Sequence, residues 1–309
     1  MYRRETFLFP FSFSCWLMLS CLIVLFSCQD GGQKQGGRSD GHISEYGDSL
    51  RLKKPYDTEP QNKFAKVLGW PEGTVPTAPD GYRVVKFADS LNSPRNVYVA
   101  PNGDVLIAEA RTERTGEEDE KVDSRNVFRD KSPNRILRLR DHDGDGIAET
   151  KEVLIDQLAQ PFGMLVLGDF FYVANTDGVL RFPYQQELGD IDRNAGEQIV
   201  DLPAGGYNNH WTRNLLSSSD GGHIYISVGS ASNVGENGLE TEIRRAAVLQ
   251  IDPDGGNECL YAHGLRNPVG MALEPASQKL WTAVNERDEL GDELVPDYLT
   301  SVESGGFYG

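Results

Sequence analysis

Four times along the chain, two segments of alternating apolar and polar residues flank a short turn. These copies occupy residues 93–110, 160–184, 210–232 and 267–286. They begin near Pro94, Pro161, Trp211 and Pro268, and the successive starts are 67, 50 and 57 residues apart. This spacing accommodates four-stranded sheets with loop insertions. Since Val, Ile, Tyr and Phe concentrate in short runs without long amphipathic stretches, the pattern predicts an all-β fold, a β-propeller with about four blades visible.

The last residues, SVESGGFYG at 301–309, lead from a Gly-rich turn into what reads as another strand. A propeller closes when its last blade packs on its first. We therefore expect a propeller of the six-bladed type, truncated at the C-terminus by about two blades, with closure of four blades as the alternative.

The N-terminus has the pattern of an export signal, because Arg3 and Arg4 precede an apolar run that reaches Cys28. The run ends in LFSC, which resembles a bacterial lipoprotein box and predicts a lipoprotein-type signal peptide over residues 1–27. An uncleaved membrane anchor is the alternative, since ~20 apolar residues can span a bilayer. Either reading predicts an exported protein, periplasmic or held at the outer membrane or cell surface.

Residues 28–60 are polar and Gly-rich, which predicts a flexible tether. The propeller domain is expected over 61–309, with a charged surface insertion at 111–132. If Cys28 carries a lipid, Cys259 has no partner for an intrachain disulfide. No Cys-x-x-Cys-His sequence for covalent haem is present, so an electron acceptor, if the protein needs one, would be external, such as a cytochrome or quinone.

The charge of the chain argues against nucleic acid as a partner. Thirty Lys and Arg against 47 Asp and Glu give a net charge of -17. Binding to a phosphate backbone depends on basic groups that displace counterions.

The segment DHDGDGIAETKE at 141–152 has the spacing of an EF-hand-type calcium loop. Gly146 stands where such a loop turns sharply. The expected ligands are Asp141, Asp143, Asp145, the Ile147 carbonyl, Glu149 and Glu152. Strand-like segments on both sides place the loop on a hairpin between blades, with a structural role for the ion. A metal-free acidic turn is the alternative.

Four segments carry a resemblance to a known family: SPRNVYVAPNGDVLIAEA, NNHWTRN, AHGLRNPVGMAL and NERDELGDELVPDYL. From about Gly81 to Gly309 the chain resembles the glucose/sorbosone dehydrogenases, soluble propellers that oxidise sugars with pyrroloquinoline quinone (PQQ). The NERDELGD segment is closer to the L-sorbosone dehydrogenase-like branch.

The resemblance implies that His210 is the general base that takes the sugar hydroxyl proton while a hydride passes to the quinone. It also implies that Arg266 stabilises the developing oxyanion and that Asn267 holds the quinone. An imidazole suits proton transfer near neutral pH, and a guanidinium suits an oxyanion. Trp211 could stack on the cofactor or pack between blades.

In the glucose branch, a Gln-Gly-Pro segment holds an active-site calcium ion. Its position falls on Glu286, Arg287 and Asp288 here. Glu286 and Asp288 are candidate side-chain ligands for such an ion, or members of a surface network with Arg287.

Two other functions fit the same pattern. A calcium-dependent propeller lactonase would hold an axial ion through inward side chains, for which Glu109, Asn175 and Asn267 are candidates. A surface-tethered propeller that binds glycans or protein without catalysis would not need His210.

Overall fold

The computed structural model describes residues 52–61, 68–113, 131–206 and 208–309, and Leu52–Gly309 forms one unit. The expected signal peptide at 1–27 and most of the expected tether at 28–60 lie outside the described residues. The same is true of residues 114–130 within the expected surface insertion. In the described ranges, no helix combines the length and apolar character that a bilayer span requires.

Within the described residues, seventeen strands form four sheets, whose strands pair antiparallel except for the last one. The first blade contains β1 (Pro94–Val99), β2 (Val105–Glu109), β3 (Arg135–Arg140) and β4 (Thr150–Ile155). The second contains β5 (Gly163–Leu167), β6 (Phe170–Ala174), β7 (Gly178–Gln185), β8 (Asp190–Ile191) and β9 (Glu197–Asp201). The third contains β10 (Arg213–Ser217), β11 (Ile224–Val228), β12 (Ala247–Ile251) and β13 (Cys259–His263). The fourth contains β14 (Asn267–Leu273), β15 (Leu280–Asn285) and β16 (Tyr298–Val302). The two-residue strand β17 (Gly306–Phe307) pairs in parallel with β13.

The predicted β-propeller is confirmed, and each of the four recurring units supplies the first strands of one blade. The blades bury both faces of their sheets. In β6, Phe171 and Val173 face the first blade, whereas Tyr172 and Ala174 belong to the core shared with the third blade. This two-sided burial explains why β6 reads as a nearly continuous apolar run, FFYVA. The core therefore lies between successive blades.

The first strand of each blade lies innermost, where β5 contacts both β1 and β10, and β10 also contacts β14. Asn side chains bridge two of these neighbouring pairs. Nδ2 of Asn96 donates to the Phe162 carbonyl at 2.9 Å, and Nδ2 of Asn214 donates to the Val269 carbonyl at 2.8 Å. The residues after these two carbonyls are both glycines, Gly163 and Gly270.

Gly163 permits an unusually close approach of two inner strands. A Cβ atom at Gly163 would lie 2.7 Å from the Arg213 carbonyl oxygen, 2.8 Å from the Leu215 nitrogen and 2.9 Å from Asn214 Cα. All three obstacles are backbone or Cα atoms of β10, which no rotamer change can move. The glycine therefore fixes how closely the second and third blades pack.

Residues 52–60, the end of the expected tether, and the adjacent Gln61 contact the loop between β15 and β16. The Tyr56 amide donates to the Leu290 carbonyl at 2.8 Å, and Lys53 forms an ion pair with Glu293 at 2.6 Å. The Gln61 amide donates to Asp292 at 2.7 Å. These bonds hold the segment against the fourth blade.

Candidate active site

The expected catalytic residues meet because each lies where an inner strand begins. In an antiparallel pair, the start of the first strand lies beside the end of the second. Arg213 at the start of β10 pairs with Val228 at the end of β11, and Asn267 at the start of β14 pairs with Asn285 at the end of β15. The loops before β10 and after β11 therefore share one edge of the propeller with the corresponding loops of the fourth blade.

His210, three residues before β10, is only 5% exposed. Its Nδ1 lies 3.1 Å from the carbonyl oxygen of Ser230. A carbonyl can only accept, so Nδ1 carries the hydrogen and Nε2 carries the lone pair in the neutral ring. Burial, followed by the positive charge of Arg266, lowers the His210 pKa to about 4. The imidazole is therefore uncharged at neutral pH, with Nε2 in the form that accepts a proton.

The loop after β11 joins His210 to the Arg266–Asn267 pair. The Ser230 amide donates to the Arg266 carbonyl at 2.7 Å. Gly229 lies between the side chains of His210 and Asn267. A Cβ atom at Gly229 would be 2.6 Å from His210 Cβ and would overlap Asn267 Oδ1. The structure thus brings His210, Arg266 and Asn267 together, as the sequence predicted, and a glycine makes the approach possible.

Arg266 is held by several acceptors from two blades. Its Nε donates to the Asn233 carbonyl at 2.9 Å and its Nη2 to Asn233 Oδ1 at 2.7 Å. Its Nη1 donates to the Asn285 carbonyl at 3.1 Å, and Asp288 completes an ion pair at 3.4 Å. Asn233 was missed by sequence reasoning, because it lies in an irregular loop, SASN, with no motif around it.

Asn267 is 9% exposed and its Oδ1 is buried without a hydrogen-bond partner in the described part of the chain. Buried acceptors of this kind are uncommon because burial removes their bond to water. The atom is therefore suited to a ligand N–H, a hydroxyl group or a cation.

Arg213 is a second residue that the sequence did not reveal. It is fully buried below His210, and its Nη1 donates to the His210 carbonyl at 2.7 Å while its Nη2 donates to the Pro203 carbonyl at 2.8 Å. Burial, and then the charge of Arg245, lower the Arg213 pKa to about 9. The guanidinium ties the backbone that carries the imidazole to the end of the second blade.

Trp211 does not have a surface on which a cofactor could stack. The side chain is 1% exposed, and its ring meets the edge of Phe162 at a centroid distance of 6.3 Å. Its Nε1 donates to Thr112 Oγ1 at 2.9 Å. The expected cofactor contact of Trp211 is corrected by this burial: the residue packs between blades, which was the alternative interpretation.

Glu286 and Asp288 lie at the same edge but have different environments. Glu286 is half-buried, and burial raises the pKa of its carboxyl group. Asp288 is exposed and pairs with Arg266, whereas the Arg287 side chain donates to the Asp288 backbone carbonyl at 3.1 Å. The expected network with Arg287 is therefore replaced by one with Arg266.

The acidic segment 141–152 starts in the loop that joins β3 to β4 and ends in β4, so it lies within the first blade and not between blades as expected. Within the described residues, the one group of His, Cys, Asp or Glu side chains arranged for a metal ion is Asp141, Asp143, Asp145 and Glu149, whose ligand atoms lie within 4.8 Å of one another. Asp141 also accepts from the Gly144 and Gly146 amides at 2.7 and 2.9 Å, which shapes the turn.

Glu152, expected as the ligand at the twelfth position, lies in β4 opposite Arg138 and outside this group. It accepts from Arg138 Nε at 2.8 Å. The loop also lies at the opposite edge of the propeller from His210 and Arg266, because β3 begins beside the end of β2 and runs to the other edge before the loop. An ion in this loop would therefore be structural.

Of the three candidate ligands for an axial ion, Glu109, Asn175 and Asn267, only the two asparagines have side-chain oxygens without a partner in the described residues. Asn175 Oδ1, like that of Asn267, is buried without a partner within the described residues. Glu109 is fully buried, but its carboxylate already accepts from Arg135 Nε at 2.6 Å and from the Asn92 amide. The carboxylate that such an ion would need is thus committed to protein donors.

Comparison with known proteins supports the same interpretation of the fold. A PQQ-dependent sugar dehydrogenase of Hypocrea jecorina (strain QM6a) is 24% identical over 235 residues, covering 72% of this chain and 50% of the relative. The chain therefore spans about half the length of this curated relative.

Two solved structures share the fold at low identity. The calcium structure of the family AA12 carbohydrate-active enzyme of Trichoderma reesei has a TM-score of 0.56 and 18% identity, covering 84% of this chain and 59% of that one. The holo PQQ domain of pyranose dehydrogenase from Coprinopsis cinerea has a TM-score of 0.53 and 18% identity, covering 73% and 51%. The TrAA12-like family model matches residues 76–297. The resemblance to PQQ-dependent sugar dehydrogenases is confirmed, and the chain belongs to the TrAA12-like family.

Proposed function

We propose that the protein is a PQQ-dependent oxidoreductase that oxidises an aldose or a sugar aldehyde of the sorbosone type, with His210 as the general base. The observation that carries this proposal is the fixed, neutral imidazole beside Arg266 and Asn267. Nδ1 is bonded to the Ser230 carbonyl, so Nε2 is the atom that accepts the proton.

The residues at this edge fit a planar, anionic quinone. Arg266 supplies permanent positive charge in a protein of net charge -17, and Asn267 Oδ1 offers a buried acceptor that a ligand donor would satisfy. These two residues would hold the cofactor. When bound, the quinone supplies the two-electron acceptor for the sugar hydride.

The environment of His210 also sets a condition on the mechanism. A base whose pKa is about 4 accepts a proton weakly at neutral pH. Negative charge brought by a bound ligand would offset the nearby arginine charge and raise this pKa toward the useful range. An anionic ligand would therefore make the imidazole a stronger base than it is in the empty protein.

A calcium ion in the loop of Asp141, Asp143, Asp145 and Glu149 belongs to the same proposal. Oxygen ligands in a turn that is already hydrogen-bonded suit calcium. A solved structure of the same fold is described as a calcium structure, which supports calcium as an ion that this fold accepts. Glu286 and Asp288 remain proposed ligands for a second ion at the catalytic edge.

Export belongs to the proposal as well. We propose a lipoprotein, periplasmic or at the outer membrane or cell surface, that passes electrons to an external cytochrome or quinone and meets a small sugar substrate. The N-terminal pattern of residues 1–28 supports this placement.

The test is binding of PQQ to the purified full chain, with calcium present, followed by dye reduction with a panel of aldoses and sugar aldehydes. We expect quinone-dependent reduction that falls by roughly 10²- to 10⁴-fold in His210→Gln. His223→Gln is the matched control, because His223 pairs with Asp252 at 3.1 Å in a loop at the other end of β11.

Failure of the folded protein to bind PQQ, or equal activity in the two variants, would refute the proposal. Hydrolysis of lactones without added quinone would instead indicate the lactonase. Glycan binding that is unchanged in His210→Gln, without turnover, would indicate the binding propeller.

A further inference from the structure

Arg245 is a buried arginine that neither the sequence motifs nor the proposed chemistry uses. It lies between the 3-10 turn Leu239–Glu242 and β12, and it is 6% exposed. Within the described residues, its guanidinium forms one hydrogen bond, from Nε to the Gly229 carbonyl at 3.0 Å, and no ion pair. An arginine has five N–H donors, so the two Nη groups keep their donor capacity unused.

This guanidinium borders the candidate active site. Gly229, its one acceptor, lies against both His210 and Asn267. The positive charge of Arg245 is one of the causes that lower the pKa of His210, together with burial and Arg266, while Asp288 acts in the opposite direction. Arg245 therefore lies close enough to His210 for its positive charge to act on the imidazole.

The carboxylate nearest in sequence, Glu242, is occupied by other donors. It accepts from Ser230 Oγ at 2.8 Å, from Ser232 Oγ at 2.7 Å and from the Ala231 amide at 3.0 Å. It acts on Arg245 only through its charge, which opposes the lowering of the Arg245 pKa by burial.

The other arginines in this region are differently satisfied. Arg213 donates to backbone carbonyls, and the adjacent Arg244 forms a two-point ion pair with Glu258 at 2.6 and 2.7 Å. A largely buried guanidinium that has no directly bonded carboxylate is costly, and its planar fork matches a carboxylate in a bidentate manner.

We infer that Arg245 binds a carboxylate group of a ligand that lies beside His210. The carboxylate belongs either to the quinone cofactor or to an acidic sugar such as a uronate. The inference rests on the proposed function only for the choice between these sources. The anion site itself is a property of the apoprotein.

The first experiment uses the apoprotein of the full chain and isophthalate, a planar dicarboxylate, in titration calorimetry. We expect Arg245→Met to weaken isophthalate binding by about 10-fold or more, because it removes charge-assisted hydrogen bonds. Arg245→Lys keeps the charge but not the bidentate geometry, so its affinity for isophthalate should lie between those of the wild type and Arg245→Met.

Arg244→Met is the matched control, since it removes the same charge one residue away and should leave isophthalate affinity unchanged. The neutral diamide isophthalamide should have the same affinity for all of these proteins. Equal isophthalate affinity of the folded Arg245→Met and Arg244→Met variants overturns the inference.

A second measurement tests the inference in the wild-type protein, so it does not depend on whether the Arg245 variants fold. The NMR titration of His210 in the wild-type protein, assigned from His210→Gln, should show a higher pKa when isophthalate is bound. An unchanged His210 pKa at saturating isophthalate would overturn the inference that the carboxylate site lies beside His210.

The source of the carboxylate is decided by the holoprotein. Weaker PQQ binding in Arg245→Met than in Arg244→Met assigns the site to the cofactor. Unchanged PQQ binding, with a KM raised for glucuronate and not for glucose, assigns it to the substrate. If wild type does not bind PQQ, the proposed function fails while the isophthalate result still decides the role of Arg245.

Discussion

The contact at Gly163 gives a direct test of how the inner strands pack. In Gly163→Ala, the new methyl group would meet the Arg213 carbonyl oxygen at 2.7 Å and the Leu215 nitrogen at 2.8 Å. Both belong to backbone, so relief requires β5 and β10 to separate. Forced overpacking of this kind costs about 1–3 kcal/mol. For a domain of this size that corresponds to a fall in Tm of roughly 2–12 °C.

The propeller supplies its own control at Gly270, which follows the equivalent inner-strand carbonyl in the fourth blade. A Cβ atom there would meet only Ala283 Cβ, at an ordinary 3.5 Å. Gly270→Ala should therefore leave stability unchanged or raise it by about 0.4–1 kcal/mol, through the lower entropy of the unfolded chain.

The assay is urea unfolding of both variants and the wild type, followed by circular dichroism. We expect a lower midpoint with an unchanged slope for Gly163→Ala, and no loss for Gly270→Ala. Equal midpoints for the two variants would show that the inner strands have room to adjust, and would refute the packing argument.

Further predictions concern single groups. The folded His210 pKa of about 4 lies below its ordinary 6.5, so the unfolded chain binds the proton first as pH falls. Between pH 6.5 and pH 4, the free energy of unfolding of the apoprotein should therefore fall by up to about 3 kcal/mol. His210→Gln should flatten this part of the curve of unfolding free energy against pH, and an unchanged slope would contradict the burial argument. Calcium at 100 times its Kd should raise the free energy of unfolding by about 2.7 kcal/mol. Asp141→Asn should remove much of this gain in thermal unfolding with and without a chelator, and an equal gain would place the ion elsewhere. Tyr298→Phe should cost no stability in urea, because the Tyr298 hydroxyl is buried with no partner in the described ranges, and a loss of more than about 1 kcal/mol would reveal a missing partner.

The sequence predicted the framework of the site because that framework depends on local patterns. Alternating segments located the inner strands, and a residue placed just before such a strand must lie at the edge of the propeller where these strands begin. His210 and Arg266 could therefore be brought together without any knowledge of their contacts.

The sequence could not predict the contacts that depend on distant loops. Asn233 reaches Arg266 only because the loop after β11 lies beside the start of β14. Nothing in the sequence marks Arg213 and Arg245 as buried, since burial of an arginine leaves no periodic signal. The pairing of Glu152 with Arg138 follows from hairpin register, whereas loop spacing alone favoured a metal ligand.

The buried cluster around Trp211 has a consequence for the maturation of the protein. Ala110, Phe162, Trp211 and Val269 each come from a different blade and meet next to His210. The cluster cannot form until chain segments about 160 residues apart in sequence have converged, a slow kind of closure in folding. The imidazole takes its final position only then, so a ligand that requires it can be loaded only after the four blades have assembled. Loading would thus report that these four blades had packed together, and chains in which they had not would remain empty.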